Sequence, residues 1–216
     1  MPKPSAPIRM LSRALSAGLA SCLTLICLLL TPALAQTPAA APAPAAADTT
    51  VRVQLQTNLG NIIMELYPDK APVTVANFLE YAKAGFYDGT IFHRVVPGFV
   101  IQGGGYTEAL LRKPVRESIK NEADNGLRND VYTVAMARGP HPNSADAQFY
   151  INLKRNAGLD FRAPTMDGYG YCVFGKVYAG AGLVDRIGKV ATKAQGPEFA
   201  NLPVEPVVIK KVVVLP

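Results

Sequence analysis

The sequence predicts a mainly β domain, built as a closed or sandwiched antiparallel sheet whose open ends two helices cover. Three observations predict it. Apolar stretches of strand length recur through residues 51–216, only two stretches carry helical spacing, and glycines mark short turns between them. Strand order does not follow from pattern.

Val51-Arg52-Val53-Gln54-Leu55-Gln56 alternates apolar and polar residues, the period of a strand buried on one face. Asn58-Leu59-Gly60-Asn61 supplies a turn, and Ile62 to Tyr67 returns as its hairpin partner. Pro72 opens a helix at a position that tolerates a missing N–H. Val75, Phe78, Leu79 and Ala82 recur at helical spacing, and Gly85 ends the helix. Ile91 to Val96, Phe99 to Gln102, Val131 to Ala137, Gln148 to Leu153 and Val173 to Tyr178 read as further strands. Ala181 to Ile187 is a short second helix. Val204 to Leu215 closes the domain as a strand that Pro206 places at an edge or bend.

The domain is preceded by two segments of different composition. Lys3, Arg9 and Arg13 form a basic start, Ala14 to Leu30 is apolar, and Ala33-Leu34-Ala35 gives a small-x-small processing site. Residues 1–35 therefore read as a signal peptide cleaved before Gln36. The apolar run is short for a retained membrane span. Leu19-Ala20-Ser21-Cys22 resembles a lipoprotein site, but the chain stays apolar from Leu23 to Leu30, beyond that cysteine. Residues 36–50, mostly Ala and Pro, read as a linker. Export to the periplasm follows as an expectation, with no stable membrane insertion after cleavage.

Charge and cysteine content narrow the function classes. The 22 basic residues include three in the signal segment and the 16 acidic residues none, so the mature chain carries a net charge of only +3. Such a balance does not call for a nucleic-acid partner. Cys172 alone of the three cysteines remains after cleavage, which excludes an internal disulfide, and its apolar neighbours mark it as a small buried hydrophobe. Two histidines and one cysteine give no zinc spacing. No Gly-x-Ser-x-Gly elbow supports a hydrolase, and no Gly-Lys-Ser/Thr follows Gly103-Gly104-Gly105 to make a phosphate loop.

The densest chemistry lies in Phe92-His93-Arg94-Val95-Val96-Pro97-Gly98-Phe99-Val100-Ile101-Gln102-Gly103-Gly104-Gly105. Two strand-like pieces flank the Pro97-Gly98 turn. Period-2 alternation puts Phe92, Arg94 and Val96 on one face, and the turn returns Phe99 and Gln102 alongside. An arginine, an aromatic ring and an amide are thus gathered on neighbouring strands.

This stretch resembles the signature of the cyclophilins. Lys120-Asn121-Glu122-Ala123-Asp124-Asn125-Gly126-Leu127, Val134-Ala135-Met136-Ala137-Arg138, Gln148-Phe149-Tyr150-Ile151-Asn152 and Val173-Phe174-Gly175-Lys176-Val177 are similar to further family blocks, in order, across nearly all of residues 51–216. The details look most like the bacterial periplasmic branch. The resemblance implies an eight-stranded closed antiparallel barrel capped by two helices, peptidyl-prolyl cis/trans isomerase activity, and a monomer acting on proline-containing polypeptide segments.

Prolyl isomerisation breaks no bond, so it requires no nucleophile, metal or cofactor. The barrier is about 18–20 kcal/mol because nitrogen donates its lone pair into the carbonyl. A catalyst must favour the twisted amide, whose lone pair is localised. The resemblance implies that Arg94 is the electrophilic donor, that Phe99 floors the proline pocket with Val100 and Leu159, and that Gln102 holds the substrate backbone and orients Arg94. Ala137 and Arg138 match the segment whose main chain holds the peptide, and Tyr150 and Tyr171 match further pocket positions. The chain departs from the family at several of these. Tyr150 stands where most members have Phe and adds a hydroxyl that needs a partner. Val100 replaces a commoner Met, and Tyr171 stands where many members have His. Gly158 lacks the large ring of many members, which predicts weak cyclosporin inhibition. The competing reading is a peptide-binding chaperone module with little turnover.

Overall fold

The structure is a computed structural model that describes residues 50–216. The signal segment expected at 1–35, and all but the last residue of the linker expected at 36–50, lie outside the described residues. Strands β1 (Val51–Thr57) and β2 (Gly60–Leu66) form the expected hairpin, in register from Val51 opposite Leu66 to Thr57 opposite Gly60. Asn58 ties its turn to the end of the chain, donating from Nδ2 to the Pro206 carbonyl and accepting at Oδ1 from the Val208 N–H, both at 2.9 Å.

Helix α1 (Pro72–Lys83) begins with proline at its first position, but Ala71 before it offers no side-chain cap. The free amides at such an end need an acceptor. Glu122, remote in sequence, provides it. Its carboxylate accepts from the Val73 N–H at 3.1 Å, the Thr74 N–H at 2.9 Å and the Thr74 hydroxyl at 2.8 Å. The inner face of α1 buries Val75, Phe78 and Ala82.

The remaining strands are β3 (Thr90–Ile91), β4 (Arg94–Val96), β5 (Val100–Gly103), β6 (Thr133–Met136), β7 (Phe149–Asn152), β8 (Val173–Ala179), β9 (Thr192–Lys193), β10 (Leu202–Pro203) and β11 (Val208–Val214). Helix α2 (Ala181–Ile187) follows β8 as expected. One curled, wholly antiparallel sheet of nine strands runs β3-β11-β1-β2-β8-β6-β7-β5-β4, and β9 pairs with β10 apart from it. The mainly β expectation with two helices therefore holds in this form, with nine strands in the sheet where eight in a closed ring were expected. The difference originates in the stretch Ile91 to Val96. It breaks at Phe92-His93, so its halves stand at opposite ends of the strand order.

Two other boundaries move for physical reasons. Strand β6 starts at Thr133 because Tyr132 takes a left-handed backbone, with φ of 64°. The final stretch from Val204 divides at Pro206, and only Val208 onward joins the large sheet.

Inside the curl, Phe78 of α1 stacks on Tyr87 at 5.0 Å and meets Phe149 edge-on at 5.6 Å and Phe174 at 5.5 Å. Strands β5 to β7 and the start of β8 bury residues on both faces. Ile101, Val134, Phe149, Ile151 and Phe174 enter this core. Val100, Ala135, Tyr150 and Val173 form a second buried cluster on the other face, where the site is built. Phe92, expected beside Arg94, joins the main core instead, because the break at Phe92-His93 resets the alternation.

Candidate active site

Strand register builds a row of side chains across the outer face. Arg94 on β4 lies directly opposite Gln102 on β5, Gln102 opposite Tyr150 on β7, and Tyr150 opposite Ala135 on β6. Side chains opposed in an antiparallel ladder project to the same face. Arg94, Gln102, Tyr150 and Ala135 thus share one surface, with Phe99 entering from the turn before β5.

Arg94 Nη1 donates to Gln102 Oε1 at 3.3 Å, and Gln102 Nε2 donates to Gln148 Oε1 at 3.2 Å. The Arg94 guanidinium carbon stands 5.7 Å from the centre of the Phe99 ring. Among the described residues no carboxylate forms a salt bridge with Arg94. Its charge is held by a neutral amide and directed over an aromatic wall.

Arg94, Phe99, Val100, Gln102, Ala137, Arg138, Tyr150, Leu159 and Tyr171 line one cavity of about 280 Å³. These are all nine residues nominated from the sequence. A second cavity of about 290 Å³ adjoins it, sharing Gln102, Ala137 and Arg138 and adding Arg112, Asp146 and Gln148 among others. Arg112 and Asp146 pair across it at 3.0 Å. Arg138 stands on the boundary. Its guanidinium donates to the carbonyls of Gly170 at 2.9 Å, Gly139 at 3.0 Å and Pro140 at 3.2 Å, and lies 4.6 Å above the Tyr171 ring.

The Gly103-Gly104-Gly105 run acts through packing. A Cβ on Gly105 would stand 2.6 Å from Gln148 Cγ, so only glycine leaves room for the side chain that holds Gln102. Gln148 was visible in the sequence as part of a strand, but its contact with Gln102 depends on register across β5 and β7. The hydroxyl of Tyr150 finds its partner in buried Asn129, donating to Oδ1 at 2.7 Å. No local pattern marked Asn129, which acts from a loop.

His93, next to Arg94 in sequence, turns away into the protein. It is 4% exposed and packs edge-on against Tyr106 at 4.8 Å. Burial, aided by the Arg94 charge, lowers its pKa to about 4, so it is neutral near pH 7. Cys172 is buried too, and burial pushes its thiol up to about 12, which removes its thiolate at physiological pH. Among the described residues no group of three or more His, Cys, Asp or Glu is placed to hold a metal ion. What the arrangement offers is an oriented cation, an apolar cavity beside it, and polar groups along its rim.

The family model for cyclophilin type peptidyl-prolyl cis-trans isomerase matches residues 52–214. A peptidyl-prolyl cis-trans isomerase of Streptomyces antibioticus is 52% identical over 164 residues, covering 76% of this chain and 98% of its own. Peptidyl-prolyl cis-trans isomerase B of Escherichia coli is 49% identical over 162 residues, covering 75% and 98%. Among solved structures, a cyclophilin type isomerase of Cryptosporidium parvum aligns with a TM-score of 0.60 at 25% identity, over 77% of this chain and 98% of that one. A second structure of it, in the presence of the dipeptide Ala-Pro, aligns with a TM-score of 0.59.

Proposed function

Because the chain belongs to the cyclophilin-type peptidyl-prolyl cis/trans isomerases, we propose that it accelerates proline-limited folding of exported proteins, and that Arg94 does so by stabilising the twisted prolyl amide. Isomerase activity comes with the family; the client class and the mechanism are the reading offered here. The observation that carries it is the position of Arg94, held by Gln102 beside the cavity that Phe99 lines and free of any salt bridge among the described residues.

Uncatalysed prolyl isomerisation takes tens to hundreds of seconds. In the planar ground state the imide nitrogen has little lone pair to offer a donor. As the bond twists, the lone pair localises, and a guanidinium N–H aimed at the nitrogen gains a hydrogen bond it lacked before. An interaction stronger in the transition state than in the ground state lowers the barrier. The proline ring sits against Phe99, Val100, Leu159 and Tyr150, which keep one side of the bond still while the other rotates. Gln102 fixes Arg94 and is itself fixed by Gln148, so the donor needs little reorganisation at the moment of reaction. The peptide runs along Ala137 and Arg138, towards the second cavity.

The Ala-Pro dipeptide used with the Cryptosporidium parvum relative supports a substrate of proline-containing segments. The basic, apolar and small-x-small succession of residues 1–35 supports export to the periplasm, followed by a linker at 36–50 and an isomerase domain at 51–216. A refolding assay limited by proline isomerisation tests the function. Wild type shortens the slow phase and Arg94→Ala does so far less. Equal acceleration by both proteins rules out the role of Arg94, and binding of the peptide with no acceleration by wild type assigns the groove to binding, as in a chaperone module. Fractionation of cells and the mass of the mature protein test export, with a start at Gln36 expected.

A further inference from the structure

We propose that Asn129, buried beneath the cavity and not part of its lining, is a positioning residue that sets the walls gripping the proline ring. The inference rests on the isomerase reading above and concerns how the same site is held in shape.

Asn129 is fully buried, and each polar atom of its side chain is committed. Its Oδ1 accepts from the Tyr150 hydroxyl at 2.7 Å and from Asn152 Nδ2 at 3.2 Å. Its Nδ2 donates to the Leu159 carbonyl at 3.1 Å and to Asp160 Oδ1 at 3.2 Å, with the Tyr171 carbonyl at 3.5 Å. Tyr150, Leu159 and Tyr171 are three of the nine lining residues, and they come from β7, from the turn Ala157–Leu159 and from the stretch before β8. One amide therefore joins three walls that the chain delivers separately.

A fourth wall is reached in two steps. The Asn129 carbonyl accepts from the Asn156 N–H at 2.8 Å, and Asn156 Nδ2 donates to the Phe99 carbonyl at 3.0 Å and to Asn152 Oδ1 at 2.7 Å. The network is buried and its members satisfy one another, a condition under which polar groups impose a unique arrangement. Tyr150 completes it. With phenylalanine there, Asn129 Oδ1 would keep only the Asn152 donor, so the hydroxyl anchors the ring from below while its face meets the cavity.

Losing one such buried bond costs about 1–3 kcal/mol, which corresponds to roughly 5- to 150-fold in an equilibrium constant. Because Asn129 touches the walls and not Arg94, the loss falls on substrate retention. The test measures kcat and KM separately on an Ala-Pro peptide, well below each variant's Tm, for wild type, Asn129→Ala, Tyr150→Phe and the double variant. Asn129→Ala is expected to raise KM about tenfold with kcat within about threefold, Tyr150→Phe to raise KM less, and the double variant to show less than the product of the two effects. A lowered Tm with wild-type KM in Asn129→Ala overturns the proposal, because the residue is then structural only. Should Asn129→Ala fail to fold, Tyr150→Phe decides, and an unchanged KM there overturns it equally. An inactive wild type refutes the isomerase reading itself, which separates the two failures.

Discussion

Arg94 and Gln102 are directly opposed across the β4–β5 ladder, and the guanidinium donates to the amide oxygen at 3.3 Å. The same amide donates onward to Gln148 at 3.2 Å, so the arginine is aimed by a chain of two glutamines. Gln102→Ala leaves the cation with several accessible rotamers. We expect kcat/KM to fall by about 10- to 100-fold, the worth of a hydrogen bond to a charged group. Gln148→Ala, one link further out, should move it in the same direction by less. Steady-state kinetics on a proline peptide checks both.

Phe99 and Phe78 separate binding from stability. Phe99 lines the cavity, whereas Phe78 is completely buried among Tyr87, Phe149 and Phe174. Phe78→Ala should cost about 3–5 kcal/mol of folding stability, the usual figure for a phenylalanine removed from a core. Phe99→Ala should lower stability far less and raise KM. Denaturant unfolding and kinetics on the two variants check the contrast.

Much of this layout was legible in the sequence, and the failures have physical causes. The β1–β2 hairpin and helix α1 were readable because each buries one face, which leaves a period in the chain. Strands β5 to β7 and the start of β8 bury residues on both faces, so alternation is lost there and nothing local told Ile101 from Val100. Phe92 was placed beside Arg94 by strict alternation, and the break at Phe92-His93 sent it to the core instead. The nine lining residues were named through motif resemblance. Their supports, Gln148 and Asn129, and the Glu122 that caps α1 belong to register and loop packing between distant segments, which no local period encodes.

His93 makes stability depend on pH. In the folded protein its pKa is lowered to about 4 from an ordinary 6.5, first by burial and then by the Arg94 charge. Between those values the unfolded chain binds a proton that the folded chain refuses, so stability falls as pH drops through that window. A gap of this size is worth about 3 kcal/mol. We expect the urea midpoint to decline from pH 7 towards pH 4, and His93→Gln to flatten the decline. Urea titrations at several pH values check it.

Gly158 bears on inhibitor binding. A Cβ placed there meets no atom within 4 Å, so a side chain can leave the backbone at this position without a clash. Weak cyclosporin inhibition is expected of the wild type, and Gly158→Trp should tighten it while leaving Tm within a few degrees. A fluorescence or calorimetric titration of both proteins checks the pair.

The role of Arg94 is tested most directly by kcat/KM on a proline peptide for wild type, Arg94→Ala and Arg94→Lys, with Tm measured alongside. A planar guanidinium fork held by Gln102 is not replaced by an ammonium, so both variants should retain the fold and lose about 100-fold or more, with the loss mainly in kcat. Activity within a few-fold of wild type in Arg94→Ala would contradict electrophilic assistance by this side chain.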